Sequence, residues 1–116
     1  METLIIYHNP RCSKSRSALA LLQERKVSLR VVEYLKEPPT RAELASQRRK
    51  LGLAPSEWIR KGESEYKTAG LDAKSPEEKL LDAMAQHPIL IERPIVVCGD
   101  RAVVGRPPER VLELLK

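Results

Sequence analysis

The sequence predicts an α/β fold: one mixed four-stranded sheet with helices packed on it, in the order βαβ…ββα, with a central helical insert. Three observations predict it: closely spaced strand, helix and strand patterns near the start, helix-start signals through the middle, and a hairpin-like pair of apolar runs before a last helical pattern. The 116 residues suffice for one domain but are too few for two. We therefore predict a single domain over 1–116, with the helical insert at about 40–87.

The first part of the sheet is predicted from a strand–helix–strand unit. Leu4–Tyr7 is a short apolar run that ends in the turn-like His8-Asn9-Pro10. A helical pattern around Ala18–Leu22 follows, and Val31–Tyr34 has the composition of a strand. This spacing predicts that the first two strands are parallel.

The insert is predicted from helix start and stop signals. Thr40-Arg41-Ala42-Glu43 forms a capping box, and Gly52 marks the end of that helix. Pro55 stands where a short second helix would begin, and we expect Trp58 in that helix to lie in the core or over the site. Ser75-Pro76 predicts another helix, with Ser75 as its N-cap residue and Pro76 at its first position.

The end of the chain predicts a β-hairpin and a helix. Ile95–Cys98 and Ala102–Val104 are short apolar runs joined by a Gly99-Asp100 turn. Pro107-Pro108-Glu109 then opens a last helical pattern.

Composition excludes several classes of protein. The 41% hydrophobic content is typical of a packed globular domain, and no apolar run is long enough to cross a membrane. The N-terminus lacks a signal-peptide pattern, so we expect a cytoplasmic protein. The net charge of +5 suits an anionic partner. The two cysteines and two histidines lack the spacing of a metal site.

Cys12 is the candidate nucleophile. It stands between the first strand and the first helix, at the carboxyl edge of the predicted sheet, where the free amides and the dipole of the helix stabilise a thiolate. The supporting residues Arg11 and Arg16, together with Lys14 and His8, add cations nearby. We predict a lowered pKa and a nucleophilic Cys12, against the alternative of a half-buried structural cysteine.

Ser15 stands three residues after Cys12, where a dithiol oxidoreductase has its second cysteine. The motif is thus CxxS, which cannot close an internal disulfide, so a thiol from outside would resolve Cys12. Cys98 is the other candidate for that role, although its position in a predicted strand favours a buried, inert cysteine.

Three arginines lie at element boundaries. Arg60 ends the short helix, Arg93 precedes Pro94 at the entrance of a strand, and Arg106 follows the last strand. Guanidinium groups suit oxyanions because they donate two parallel hydrogen bonds and keep their charge. On spacing alone each arginine is also typical of a solvated surface residue. Pro94 either caps an edge strand or follows a cis peptide bond.

Three segments together resemble one family, and the resemblance extends from Ile5 to Leu114. Residues 8–16 read HNPRCSKSR, residues 87–97 read HPILIERPIVV, and residues 105–108 read GRPP. They resemble the active-site loop and the second and third signatures of the glutaredoxin-coupled arsenate reductases.

The resemblance implies a thioredoxin/glutaredoxin-like fold with Cys12 as the nucleophile. It implies that His8 helps to keep Cys12 ionised and that Arg60, Arg93 and Arg106 hold the oxyanion. The Arg93–Pro94 bond would be the cis-proline site of that fold.

The resemblance also implies the reaction and its partners. The Cys12 thiolate would attack arsenate, glutathione would add as co-substrate, glutaredoxin would resolve the adduct, and arsenite would leave. No cofactor would stay bound, and we expect a monomer that acts in the cytoplasm in arsenical resistance.

One alternative is a general glutathione-dependent thiol oxidoreductase. The other is a regulator similar to the Spx type, which binds RNA polymerase. Ser15 argues against that regulator, which usually carries CxxC, and we do not expect a nucleic-acid partner.

Overall fold

The computed structural model describes residues 3–115. They form two compact units, one comprising the chain up to Glu37 together with the chain from Arg93 onward, the other Pro38–Glu92. Among the described residues, no helix is both long and apolar enough to cross a membrane.

The first unit contains a four-stranded mixed sheet. Its strands are β1 (Leu4–His8), β2 (Leu29–Glu33), β3 (Ile95–Cys98) and β4 (Arg101–Val104), and helix α1 spans Ser13–Glu24. The strand order is β2-β1-β3-β4. The β1–β2 pair is parallel, whereas β1–β3 and β3–β4 are antiparallel. The predicted mixed sheet is therefore confirmed, and so is the parallel start.

One face of this sheet is covered by helices. Helix α1 and the 3₁₀ helix Pro108–Leu115 pack with it around one apolar core, whose buried members are Leu4, Ile6, Ala18, Leu22, Val96, Val111 and Leu114. The strand residues alternate along β1, as expected for one buried face. The last predicted helix is thus present, but its hydrogen bonding is of the 3₁₀ type.

The second unit is helical. It contains α2 (Arg41–Leu51), α3 (Ser64–Thr68) and α4 (Glu77–Gln86), with 3₁₀ turns at Pro55–Glu57 and Pro88–Leu90. The predicted capping box is present, because the Thr40 hydroxyl accepts from the Glu43 amide at 3.1 Å and the Glu43 carboxylate accepts from the Thr40 amide at 3.0 Å. Gly52 ends α2 at φ +68°, and Trp58 is fully buried in this unit.

The structure corrects the predicted bounds of three elements. The short helix predicted from Pro55 is a 3₁₀ turn that ends at Glu57, so Trp58 and Arg60 follow it rather than belong to it. Strand β2 begins at Leu29, because pairing with β1 starts there, and ends one residue before Tyr34. Ser75 is not the N-cap residue of α4: its hydroxyl instead accepts from the Asp72 amide at 2.9 Å in the preceding turn, and Pro76 takes the cap position. The short helix α3 was not predicted.

Two peptide bonds are cis, Arg93–Pro94 and Arg106–Pro107. The first was implied by the family resemblance and is confirmed. The second was not expected.

Candidate active site

Cys12 occupies the N-cap position of α1, with extended backbone angles of φ −97° and ψ 122°. A tight turn brings it there from the end of β1. The Cys12 amide donates to the Asn9 carbonyl at 3.0 Å, and the Asn9 side-chain oxygen accepts from the Arg11 amide at 3.0 Å. The thiol therefore lies at the carboxyl edge of the sheet and at the positive end of a twelve-residue helix.

The pKa of Cys12 is lowered from its ordinary value of 9.0. Burial raises the pKa of the thiol, but a hydrogen bond from the Arg93 guanidinium and the backbone amides of Ser15 and Lys14 lower it by more. The free amides at the helix start act as the sequence predicted. The cation that bonds to the sulfur, however, comes from the entrance of β3 rather than from the Cys12 loop.

The side-chain cations of the loop itself are not among the groups that lower the pKa of Cys12. Arg11 and Lys14 are exposed, and the Arg16 guanidinium donates to the Pro10 carbonyl at 2.9 Å. That hydrogen bond ties the start of α1 to the preceding turn, so Arg16 supports the geometry of the loop.

Ser15 lies fully buried behind the Cys12 loop. Its hydroxyl lies 2.6 Å from His8 Nδ1 and accepts from the Asn9 amide at 3.0 Å. One side chain thus links the end of β1, the turn and the first helical turn. A serine at this position does structural work for which a second cysteine, a weak hydrogen-bonding group, is poorly suited.

His8 is buried as well, and burial lowers its pKa, with Arg16 adding to the effect and Glu33 opposing it. A neutral His8 can accept a hydrogen bond at Nδ1 from the Ser15 hydroxyl, which fits the short distance between the two atoms. In the structure His8 is therefore linked to the Cys12 loop through its hydrogen bond with Ser15. The role in ionising Cys12 that the resemblance implies remains a prediction.

The two loops that carry Arg93 and Arg106 are fastened to each other. An Arg106 Nη1 donates to the Arg93 carbonyl at 3.4 Å, and the Gly105 amide donates to the Pro94 carbonyl at 2.8 Å. A side chain at Gly105 has no room, because a Cβ there would lie 2.8 Å from Pro94 Cγ and 2.9 Å from Val111 Cγ1. The glycine thus permits the close approach that brings both arginines to the Cys12 edge of the sheet.

The sequence reasoning missed one residue of this site, Tyr34. It is 1% exposed, and its phenol lies against the guanidinium of Arg93. The sequence placed Tyr34 inside the second strand; a strand ending at Glu33 would have placed it at the site edge instead.

Arg60 lies in the second unit. Its guanidinium donates to the Glu63 carboxylate and to the Glu92 carboxylate, each at 3.2 Å. Its amide donates to the Leu90 carbonyl at 2.7 Å. The structure thus brings Cys12, Arg93 and Arg106 together in the first unit and gives Arg60 carboxylate partners of its own.

Cys98 cannot form a disulfide with Cys12 in this fold. The antiparallel register pairs Cys98 with Leu4, at the start of β1, whereas Cys12 follows the end of that strand. Four residues of strand alone separate the two edges by roughly 13 Å, and a disulfide needs Cα atoms within roughly 7 Å. Cys98 is half-buried rather than fully buried.

No cluster of three or more His, Cys, Asp or Glu side chains that could hold a metal ion occurs within residues 3–115. The site instead provides a thiolate, helix amides and guanidinium groups. The thiolate can attack an electrophilic atom, and the guanidinium groups can bind anionic oxygens on that atom.

Comparison with known proteins gives close matches over nearly the whole chain. An arsenate reductase of Neisseria meningitidis serogroup A is 46% identical over 117 residues, which cover 99% of this chain and 100% of the relative. The uncharacterized protein YfgD of Escherichia coli K12 is 48% identical over 112 residues, covering 95% and 94%. The solved structure of an arsenate reductase from Vibrio cholerae superposes with a TM-score of 0.92 at 46% identity, covering 97% of this chain and 98% of that one.

The fold is therefore the thioredoxin-like fold of those structures. The model of the ArsC family matches residues 7–114, which include the Cys12 loop and both arginine loops of the sheet. On this match and on these relatives, the chain belongs to the ArsC family.

Proposed function

We propose that this chain reduces arsenate to arsenite through Cys12, with glutathione as co-substrate and glutaredoxin as the final reductant, in the reducing cytoplasm. The observation that carries the proposal is the contact of Arg93 with Cys12 beside the Arg106 loop. Relatives that are arsenate reductases support it.

The contact of Arg93 with the nucleophile supports an anionic substrate for an electrostatic reason. Arsenate and the thiolate carry like charge, so attack needs that charge neutralised before and during the step. Arg93 can donate to the sulfur and to a substrate oxygen at once, and Arg106 lies on the adjoining loop. The part that the resemblance gives Arg60 in holding the oxyanion stays a prediction, because its guanidinium bonds to the carboxylates of Glu63 and Glu92.

The first two steps exchange oxygen for sulfur on arsenic. The Cys12 thiolate attacks arsenic, a sulfur–arsenic bond forms, and one arsenic–oxygen bond breaks as that oxygen leaves as water with protons from solvent. The thiol of glutathione then replaces a second oxygen, which also leaves as water. Arsenic stays pentavalent in both steps.

The electrons arrive in the third step. A thiol of glutaredoxin attacks the glutathione sulfur, the arsenic–glutathione bond breaks, and its electron pair stays on arsenic, which becomes trivalent. The mixed disulfide of glutaredoxin and glutathione leaves, and the thiol proton passes to an oxygen on arsenic. Water then cleaves the bond to Cys12, which releases arsenite and restores the thiol.

The test is arsenite release from arsenate in the presence of glutathione and glutaredoxin. Cys12→Ser should abolish it, whereas the matched Cys98→Ser should retain most of it, since Cys98 lies at the other edge of the sheet. If the loss of Cys98 damages turnover as much as the loss of Cys12, the single-cysteine mechanism is wrong.

A general glutathione-dependent thiol oxidoreductase is the second candidate. One observation favours it: the guanidinium of Arg60 already bonds to two carboxylates. The same preparation should be assayed for arsenate turnover and for reduction of a glutathione mixed disulfide. Activity in the second assay alone would favour this candidate.

A further inference from the structure

Tyr34 and Arg93 lie at the same level of the sheet, on opposite sides of β1. In the parallel pair His8 faces Glu33, and in the antiparallel pair Tyr7 faces Ile95. Continued past the strand ends, both registers place these two residues level with Asn9. Because neighbouring strands lie about 4.8 Å apart, their backbones are roughly 10 Å apart. A tyrosine and an arginine side chain together span that gap.

The two side chains meet there. The Tyr34 phenol lies against the Arg93 guanidinium, and the same guanidinium donates to Cys12. Tyr34 is 1% exposed, so its ring is held by the surrounding core. The Arg93 guanidinium is therefore in contact both with a rigid buried group and with the nucleophile.

We propose that Tyr34 is the positioning residue for Arg93, and that its hydroxyl orients the guanidinium toward Cys12 and toward the oxyanion. An arginine side chain is long and loses much rotamer freedom when it is fixed. A tyrosine has two side-chain angles, and burial already fixes them in Tyr34. The contact thus holds Arg93 in its working orientation before substrate arrives.

The experiment uses Tyr34→Phe, which keeps the ring in the core and removes the hydroxyl. It is made in a Cys98→Ser background, so that iodoacetamide reports on Cys12 alone. We expect alkylation at neutral pH to slow about 3- to 10-fold, with the pH profile displaced to higher pH. Tyr66→Phe is the matched control, since Tyr66 is also buried but lies in the second unit. It should leave the profile unchanged.

A double-mutant comparison separates positioning from packing. If Tyr34 acts through Arg93, adding Tyr34→Phe to Arg93→Lys should slow alkylation no further. Independent, multiplicative effects of the two substitutions would overturn the proposal. So would an unchanged alkylation profile in Tyr34→Phe alone.

The inference rests on the proposed function only for its oxyanion half. For that half we expect Tyr34→Phe to raise the KM for arsenate more than it lowers kcat. An unchanged KM would overturn the oxyanion half alone. Alkylation involves no arsenate, so the thiolate half can be judged even if the chain proves to act on another substrate.

Discussion

Replacing Arg93 with lysine tests the link between the thiolate and the oxyanion site most directly. Lysine keeps the positive charge but offers one ammonium group in place of the planar fork, so it cannot contact the phenol, the sulfur and an oxyanion together. The pKa of Cys12 should therefore rise toward its ordinary value, because burial, which opposes the thiolate, remains while the strongest stabilising contact is lost.

The magnitude follows from that hydrogen bond. A hydrogen bond to a charged group contributes about 1.5–3 kcal/mol, and the half-buried position of Cys12 favours the lower figure. A loss of about 1.4 kcal/mol is a factor of ten. We thus expect Arg93→Lys to slow alkylation of Cys12 at neutral pH about tenfold. The kcat/KM for arsenate should fall by about 10- to 100-fold, because a contact with the oxyanion is lost as well.

The assay pairs the pH profile of alkylation with steady-state arsenite release. Arg101→Lys is the control: the same chemical change at the β3–β4 hairpin, where Arg101 donates to the Leu114 carbonyl at 2.8 Å. It should leave both measurements unchanged. Wild-type alkylation and turnover in Arg93→Lys would refute the reasoning. Normal alkylation with lost turnover would confine Arg93 to the oxyanion.

Two further predictions concern stability. Gly105→Ala should lower the free energy of unfolding, measured in urea, by about 1–3 kcal/mol, because the added Cβ would clash with Pro94 and Val111. Gly62→Ala is the control and should be nearly neutral, because a Cβ there would have nothing within 4 Å. Equal effects of the two substitutions would contradict the packing argument. The pKa of Cys12 is lowered in the folded chain, so the folded chain binds this proton less tightly than the unfolded chain does. The thiolate therefore contributes stability that is fully present above the ordinary pKa of 9.0. That contribution is lost as the pH falls through the lowered pKa. The difference in unfolding free energy between wild type and Cys12→Ser should therefore grow as the pH rises from below the lowered pKa toward 9.0, and a constant difference would show that the thiolate is not stabilised by the fold.

Local signals made most of the helices and strands predictable. The Thr40 capping box and the stop at Gly52 each depend on residues within a few positions, so they can be read directly from the chain. The spacing of the first two strands likewise predicted their parallel pairing. Ser75 shows the limit of such signals, because its hydroxyl could either cap α4 or bond within the preceding turn. In the structure it accepts from the Asp72 amide of that turn.

The order of residues along the chain was enough to place a cysteine at a helix start, with its thiolate stabilised by free amides and with a serine in place of a second thiol. The identity of the cation that bonds to that cysteine depends on the folded arrangement, since Arg93 reaches it from the entrance of β3 and Tyr34 contacts the same guanidinium from beyond β2. The structure also separated Cys98 from Cys12 across the sheet. The physical reason is the same in each case: helix amides are supplied by the residues that follow the cysteine, whereas the partners across a sheet are set by strand order and register, which bring together positions far apart in the chain.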